Sequence, residues 1–241
     1  MNLQTDSQKS LRLLLLEEME NGMFSQCDRL PRETELAEKL GISRTQLRDT
    51  LSELDREGFI TRRQGVGTII NRHVLRVKNR MDIEMEFLDI IRQFGYEASV
   101  SFIEVTEDAA DENMAQKLQI EEGTPVIRIR LVCDADGKPA VYSDDVFEKR
   151  LVKKDYKSED FQMIVFKFLE KFCDEEAYMD LTELHAVVAD EALAEILKVN
   201  IGTPLLNMEE VDYDIDGNAL FYSRQYFVDG IVQHTVMRKK F

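Results

Sequence analysis

Gly41-Ile42-Ser43-Arg44-Thr45-Gln46-Leu47-Arg48 reads as a tight turn followed by a capped helix start. The Ser43 hydroxyl can accept a bond from one of the unpaired N–H groups of the first helical turn. Leu47, Leu51 and Leu54 then form an apolar stripe, and Gly58 supplies the stop. Upstream, Leu30-Pro31 opens a shorter helix that buries Leu36, Ala37 and Leu40 and ends at Gly41. Further upstream, Leu11, Leu15 and Met19 share one helical face, with Leu14 beside them, before the stop at Asn21-Gly22. Downstream, Phe59-Ile60 and Thr68-Ile69-Ile70 flank a glycine-containing turn, the pattern of a β-hairpin. Three short helices and a hairpin make a winged helix-turn-helix. The apolar stripe leaves Arg44, Thr45, Gln46 and Arg48 facing outward at the N-terminus of the third helix. Arginine suits guanine and glutamine suits adenine in the major groove, and the helix N-terminus offers N–H groups to phosphate. A solvated helix face is the alternative reading of each residue taken singly.

Composition taken whole opposes DNA binding. The 241 residues carry 31 Lys and Arg against 47 Asp and Glu, a net charge of -16. That charge is unevenly spread: residues 1–80 stand at +2 and residues 81–241 at -18. Between Gly58 and Arg80 lie Arg62, Arg63, Arg72, Arg76, Lys78 and Arg80, and no acidic residue. Such asymmetry suggests that the two parts meet different partners. Cys27, Cys133 and Cys173 have neither redox nor metal-site spacing, and three histidines are scattered, so we expect reduced thiols, no metal and no cofactor. The polar start and the short Leu13–Leu16 run predict a cytoplasmic protein without a membrane span. Residues 71–80 lack helical periodicity and read as an extended linker between domains at 1–70 and 81–241.

The second part contains a duplication. Ala110-Asp111-Glu112 recurs as Ala189-Asp190-Glu191, Gly123-Thr124-Pro125 as Gly202-Thr203-Pro204, and Asp136-Gly137 as Asp216-Gly217. Each copy reads strand, short helix, Gly-Thr-Pro turn, strand, Asp-Gly turn, strand. Phe161 to Phe172, between the copies, is apolar and helix-like. Two copies suit one antiparallel sheet of pseudo-twofold symmetry carrying helices, an α+β domain with a cleft for a small ligand. Arg128 and Arg130 share a strand face and could hold an anion, or could pair with the domain's own carboxylates. The second copy has Asn207 and Glu209 there, which favours one ligand site over two. Tyr142-Ser143 and Tyr222-Ser223 offer hydroxyls at matched positions, although tyrosine at strand spacing also suits simple packing.

The first segment resembles the GntR family of bacterial transcription regulators. Leu30-Pro31-Arg32-Glu33-Thr34-Glu35-Leu36-Ala37, then residues 41–48, then Glu57-Gly58-Phe59-Ile60 and Arg62 to Thr68 carry the resemblance. It implies DNA contacts by Arg44 and Arg48, with Ser43, Thr45 and Gln46 beside them. It also implies that the wing around Arg63, Gln64, Gly65 and Gly67 reaches the minor groove. The family has a phosphate-contacting arginine where this chain has Thr34, and Arg32 is a candidate to replace it. The second part resembles the HutC-branch effector domain (UTRA), which is similar in fold to chorismate lyase. Gly95, Gly123-Thr124-Pro125, Arg128-Ile129-Arg130 and Asp136-Gly137-Lys138-Pro139 carry that resemblance. It implies a small metabolite held near Glu86, Phe87, Arg128 and Arg130. Some relatives have a sugar-binding glutamate at the position of Ser143, which argues here against an amino-sugar phosphate. The resulting expectation is a homodimeric repressor of a palindromic operator, controlled by a small, anionic effector. A lyase-like enzyme and a protein-interaction module are the alternatives, but no nucleophile–base pair or other catalytic signature is present to favour the enzyme.

Overall fold

The structure is a computed structural model and describes residues 3–83, 85–157, 160 and 165–239, with side chains from residue 11 onward. The chain divides into two compact units, Met1–Lys78 and Asn79–Phe241.

In the first unit, α1 (Leu3–Glu20), α2 (Glu33–Leu40) and α3 (Arg44–Arg56) precede the hairpin β1 (Ile60–Arg63) and β2 (Gly67–Ile70). Leu11, Leu15 and Met19 from α1, Leu36 from α2 and Leu47, Leu51 and Leu54 from α3 are all buried. Each such side chain contributes about 2 kcal/mol of hydrophobic stabilisation. Leu14, expected beside this stripe, is exposed. Gly41 closes α2 at φ 66°, a left-handed conformation that costs a Cβ-bearing residue energy, and its N–H reaches the carbonyls of Ala37 and Glu38.

The stretch expected to be an extended linker is mostly structured. Arg72–Leu75 forms a short helix, α4, whose Val74 is buried. Arg72 turns its guanidinium inward to the carbonyls of Met19, Phe24 and Cys27. Asn71 bonds the Gly58 carbonyl at 2.7 Å and the Thr61 hydroxyl at 2.9 Å. At the other end, Asn79 and Arg80 are buried within the second unit. Polarity hid this, because Arg72, Asn71 and Arg80 are consumed by internal acceptors and not by water.

The second unit is a six-stranded antiparallel sheet in the order β3-β4-β5-β8-β7-β6. The first copy supplies β3 (Ala98–Ala109), α6 (Glu112–Leu118), β4 (Pro125–Ala135) and β5 (Lys138–Glu148). The second supplies β6 (Met179–Val188), α8 (Glu191–Leu197), β7 (Pro204–Tyr213) and β8 (Ala219–Val228). The copies meet where β5 pairs with β8. Asp111 and Asp190 cap the two helices identically, each accepting a 2.8 Å bond from the N–H three residues on. α6 packs on Val126, Val146, Val211 and Tyr222, and α8 on Val132, Tyr142 and Leu205, so one sheet face is covered by the duplicated helices. The opposite face carries α5 (Phe87–Gln93) over Leu131, Val141 and Phe227. It also carries α7 (Val165–Phe168) and the π-type turn Leu169–Cys173 over Ile127, Ile129 and Phe147. Of the helix expected from Phe161 to Phe172, residues 161–164 lie outside the described residues.

Candidate DNA-reading surface and effector cavity

The first unit presents its polar residues as one surface. Ser43 Oγ accepts from the Gln46 N–H at 3.2 Å, fixing the start of α3. Arg44, Thr45 and Arg48 are exposed there, and Gln46 is half-buried. Arg48 keeps 65 % of its side-chain surface exposed although Glu33 lies 3.8 Å away. Arg32 and Thr34, at the start of α2, are exposed as well. In the wing, Arg63, Gln64, Gly65 and Gly67 are all exposed. Both glycines have positive φ, 76° and 100°, which the tight tip requires. Arg29, which the sequence reading passed over, donates to the Val66 carbonyl at 3.1 Å and braces that tip. Arg62, counted within the basic stretch, is instead tied to Glu33 and to Ser52.

The second unit holds a cavity of about 260 Å³ on the α5 face of the sheet. Glu86 and Phe87 line it. Glu86 also pairs with Lys167 Nζ at 2.8 Å. Arg128 and Arg130 do not line it. They project from the opposite face, where Asp144 lies between guanidinium groups. Arg128 holds Asp144 through two 2.6 Å bonds, Arg224 adds a third at 2.8 Å, and Arg130 pairs with Glu104 at 2.6 Å. Asp144 is buried, yet these cations hold its carboxyl below the usual carboxylate range against the opposing effect of burial. Of the two readings of the arginine pair, the internal carboxylate is therefore the one the geometry favours.

The tyrosines also face away from the cavity. Tyr142 stacks on Tyr226 at 5.9 Å beneath α8, and Tyr222 lies beneath α6 with its hydroxyl 3.3 Å from Asn113 Nδ2. Strand alternation puts their neighbours Ser143 and Ser223 on the cavity face. Both serines are fully buried and donate to one acceptor, Asp145 Oδ1, at 2.7 and 2.6 Å. Thus two symmetry-matched serines hold a single carboxylate that lines the cavity.

Strand register extends this into a polar rung. Thr182 pairs with Glu210, Glu210 with Ser223, and Ser223 with Asp145. Thr182 Oγ1 lies 2.8 Å from Asp180 Oδ1 and 3.2 Å from Glu210 Oε2. Burial raises the Asp145 carboxyl to about 6. Burial, reinforced by Asp180, raises Glu210 to about 7. Asp145, Glu210, Thr182 and Gln225 were missed at the sequence level. A signal existed: Asp145 aligns with Gln225 and Leu131 with Glu210 in the duplicated halves. The two halves therefore differ on the cavity face as well as at Arg128 and Arg130.

Glu183, His185 and Glu209 bring three donor atoms within 4.8 Å of one another on the helix-covered face. Lys117 Nζ already lies 3.8 and 3.7 Å from the two glutamates and supplies the balancing charge. All three cysteines are free, and burial pushes Cys133 up to about 12 and Cys173 to about 11, so both stay as thiols. Among the described residues, no helix is long and apolar enough to cross a membrane.

Comparison with known proteins assigns both units. Residues 8–70 match the bacterial regulatory proteins of the gntR family, and residues 93–229 match the UTRA domain. The chain belongs to the UTRA-bearing, HutC-type GntR regulators. This regulator is 28 % identical over 205 residues to a histidine utilization repressor of Pseudomonas putida, covering 81 % of this chain and 77 % of that one. It is 24 % identical over 210 residues to the transcriptional repressor NagR of Bacillus subtilis, covering 87 % and 85 %. Among solved structures, YydK from Bacillus subtilis shares the fold with a TM-score of 0.79 at 18 % identity, over 96 % of this regulator and 99 % of that chain.

Proposed function

We propose that the protein is a cytoplasmic, homodimeric repressor whose operator affinity is set by a small molecule bound, and not converted, in the cavity beside Asp145. The observation that carries the DNA-binding part is the exposed row Arg44, Thr45 and Arg48 at a capped helix start, with the glycine wing in the same unit. Ser43, Gln46, Arg32, Thr34, Arg63, Gln64, Gly65 and Gly67 complete the proposed DNA surface. The polar wall of the cavity supports the effector part, because buried carboxylates and hydroxyls at one point of a sheet give a ligand directional partners. Glu86 and Phe87 are proposed to contact the effector. Ser143 and Ser223 are proposed to act through Asp145. Arg128, Arg130, Tyr142 and Tyr222 are assigned to the scaffold.

Selection from a random duplex library should return a palindromic site, as expected of a two-fold protein. Arg44→Ala and Arg48→Ala should each weaken binding to that site, and a lost phosphate contact should lower the salt slope by about 1. Unchanged, salt-sensitive binding in the double variant would sink the assignment of α3 as the reading helix. Effector binding should shift operator affinity by a coupling of about 1–3 kcal/mol.

A further inference from the structure

The expected anionic effector is hard to reconcile with the cavity wall. Asp145, Asp180 and Glu210 all line it, and Thr182 and Gln225 lie among them. Among the described residues, no Lys or Arg forms an ion pair with Asp145, Asp180 or Glu210. The contrast with the adjacent residue is direct. Asp144, on the other face of the same strand, is served by Arg128, Arg130 and Arg224, whereas among the described residues Asp145 receives two serine hydroxyls and no cation. Asp145 is buried, Glu210 half-buried and Asp180 exposed, and like charges gathered in this way without a paired countercharge stay ionised only at a cost unless something positive joins them. An anion placed there would add to that cost, and a neutral polyol would leave it in place.

A second observation concerns the far end of the cavity. His234 lines it with its ring edge-on to Phe227 at 4.5 Å. Asn79 Nδ2 lies 3.1 Å from Nδ1, so the neutral ring carries its proton on Nε2. That Nε2 is buried and meets no hydrogen-bond partner among the described residues. Phe227 and Ser223 are four residues apart on β8, about 13 Å along the strand. Leu131, Met208 and Phe87 line the cavity as well and are apolar.

Resting on the reading of this cavity as the effector site, we infer that the effector is a small organic cation. Its ammonium, amidinium or guanidinium group sits on the Asp145–Glu210 rung, its apolar body runs along Leu131 and Met208, and a hydrogen-bond acceptor at its other end meets His234 Nε2. The charged groups lining the cavity are Asp145 from β5, Asp180 from β6, Glu210 from β7, Glu86 and Arg80. Glu86 is paired with Lys167, and Arg80 with Asp82. Because burial leaves Asp145 and Glu210 partly protonated near neutrality, the cation should displace protons as it binds.

The test uses the full chain with the cations agmatine and 1,4-diaminobutane and the guanidinium-bearing zwitterion 4-guanidinobutanoate, against glutarate, glucose 6-phosphate and glucitol, at matched ionic strength. Thermal unfolding and calorimetry are expected to show binding by the cations, protons released on binding, and affinity that falls as pH drops from 8 to 5.5. 4-Guanidinobutanoate, which carries the acceptor, should bind tighter than agmatine, and equal affinities would remove the role given to His234. Asp145→Asn and, independently, Glu210→Gln should each lower cation affinity at least tenfold while both variants still melt cooperatively. Preference for the anions or the polyol, absence of any cation binding, or indifference to both substitutions would overturn the charge assignment. Leu131→Trp fills the cavity. A cation that binds that variant as well as the unsubstituted chain would instead overturn the location of the effector site.

Discussion

Asp144 and Asp145 are adjacent and chemically identical, and the pleat sends them to opposite fates. On the helix side, Asp144 is neutralised by guanidinium groups and stays ionised. On the cavity side, Asp145 is buried among hydroxyls and its carboxyl rises to about 6. A carboxyl whose pKa is higher folded than unfolded binds extra protons in the native state. Its stabilising protonation is complete below the unfolded value near 4 and is lost as pH rises through 6. One pKa unit corresponds to about 1.4 kcal/mol, so Asp145 costs up to about 3 kcal/mol at pH 8 relative to pH 4. Asp145→Asn should therefore stabilise the unliganded protein by up to that amount at pH 8 and have little effect at pH 4, measured by urea unfolding. A uniform loss of stability at both pH values would show that Asp145 serves only to hold the two serines. The sequence displayed both aspartates. It could not show which one had a cationic neighbour, since Arg224 is 80 positions away from Asp144.

At the scale of elements, the duplicated caps offer an internal control. Asp111 and Asp190 each accept a bond of the same length at the same position of a seven-residue helix. The two helices end alike as well, in left-handed Gln119 and Lys198 at φ 56° and 53°. Replacing either aspartate by alanine should cost about 1 kcal/mol, and the two values should agree within error, by denaturant unfolding. Ser43→Ala at the start of α3 should cost about the same, with recovery in Ser43→Asp. These elements were legible because capping, apolar period and glycine stops are local. The helix α4 was not. Its four residues are too few to show a period, and what holds it is Arg72 reaching carbonyls about 50 residues earlier in the chain.

For the whole molecule, the division after Lys78 makes a prediction of its own. Arg76 and Lys78 are exposed, whereas Arg72 and Arg80 on either side are held by internal partners. Brief trypsin treatment should cut first after Arg76 or Lys78, and the fragment beginning near Asn79 should still unfold cooperatively and bind the effector. Early cleavage inside either unit would argue against this division. The uneven charge takes on meaning at this scale. The acidic excess of the chain lies in residues 81–241, at -18, where it favours solubility. Part of the positive charge in the first unit proved structural, since Arg62 and Arg72 bond internally, while Arg44, Arg48, Arg63 and Arg76 are exposed.

The sequence by itself determined the winged helix, its outward-facing residues and the duplicated sheet, because spacing, caps and turn residues act over a few positions. Family resemblance also singled out Glu86 and Phe87, which line the cavity. Only the tertiary structure decided which sheet face holds that cavity, and therefore that Arg128 and Arg130 serve Asp144 while Asp145, Glu210 and Thr182 line the cavity. The physical reason is that a strand fixes alternation but not which side a distant helix will cover. That choice came from the packing of α5, α7, α6 and α8, and it set which charged side chains line the cavity.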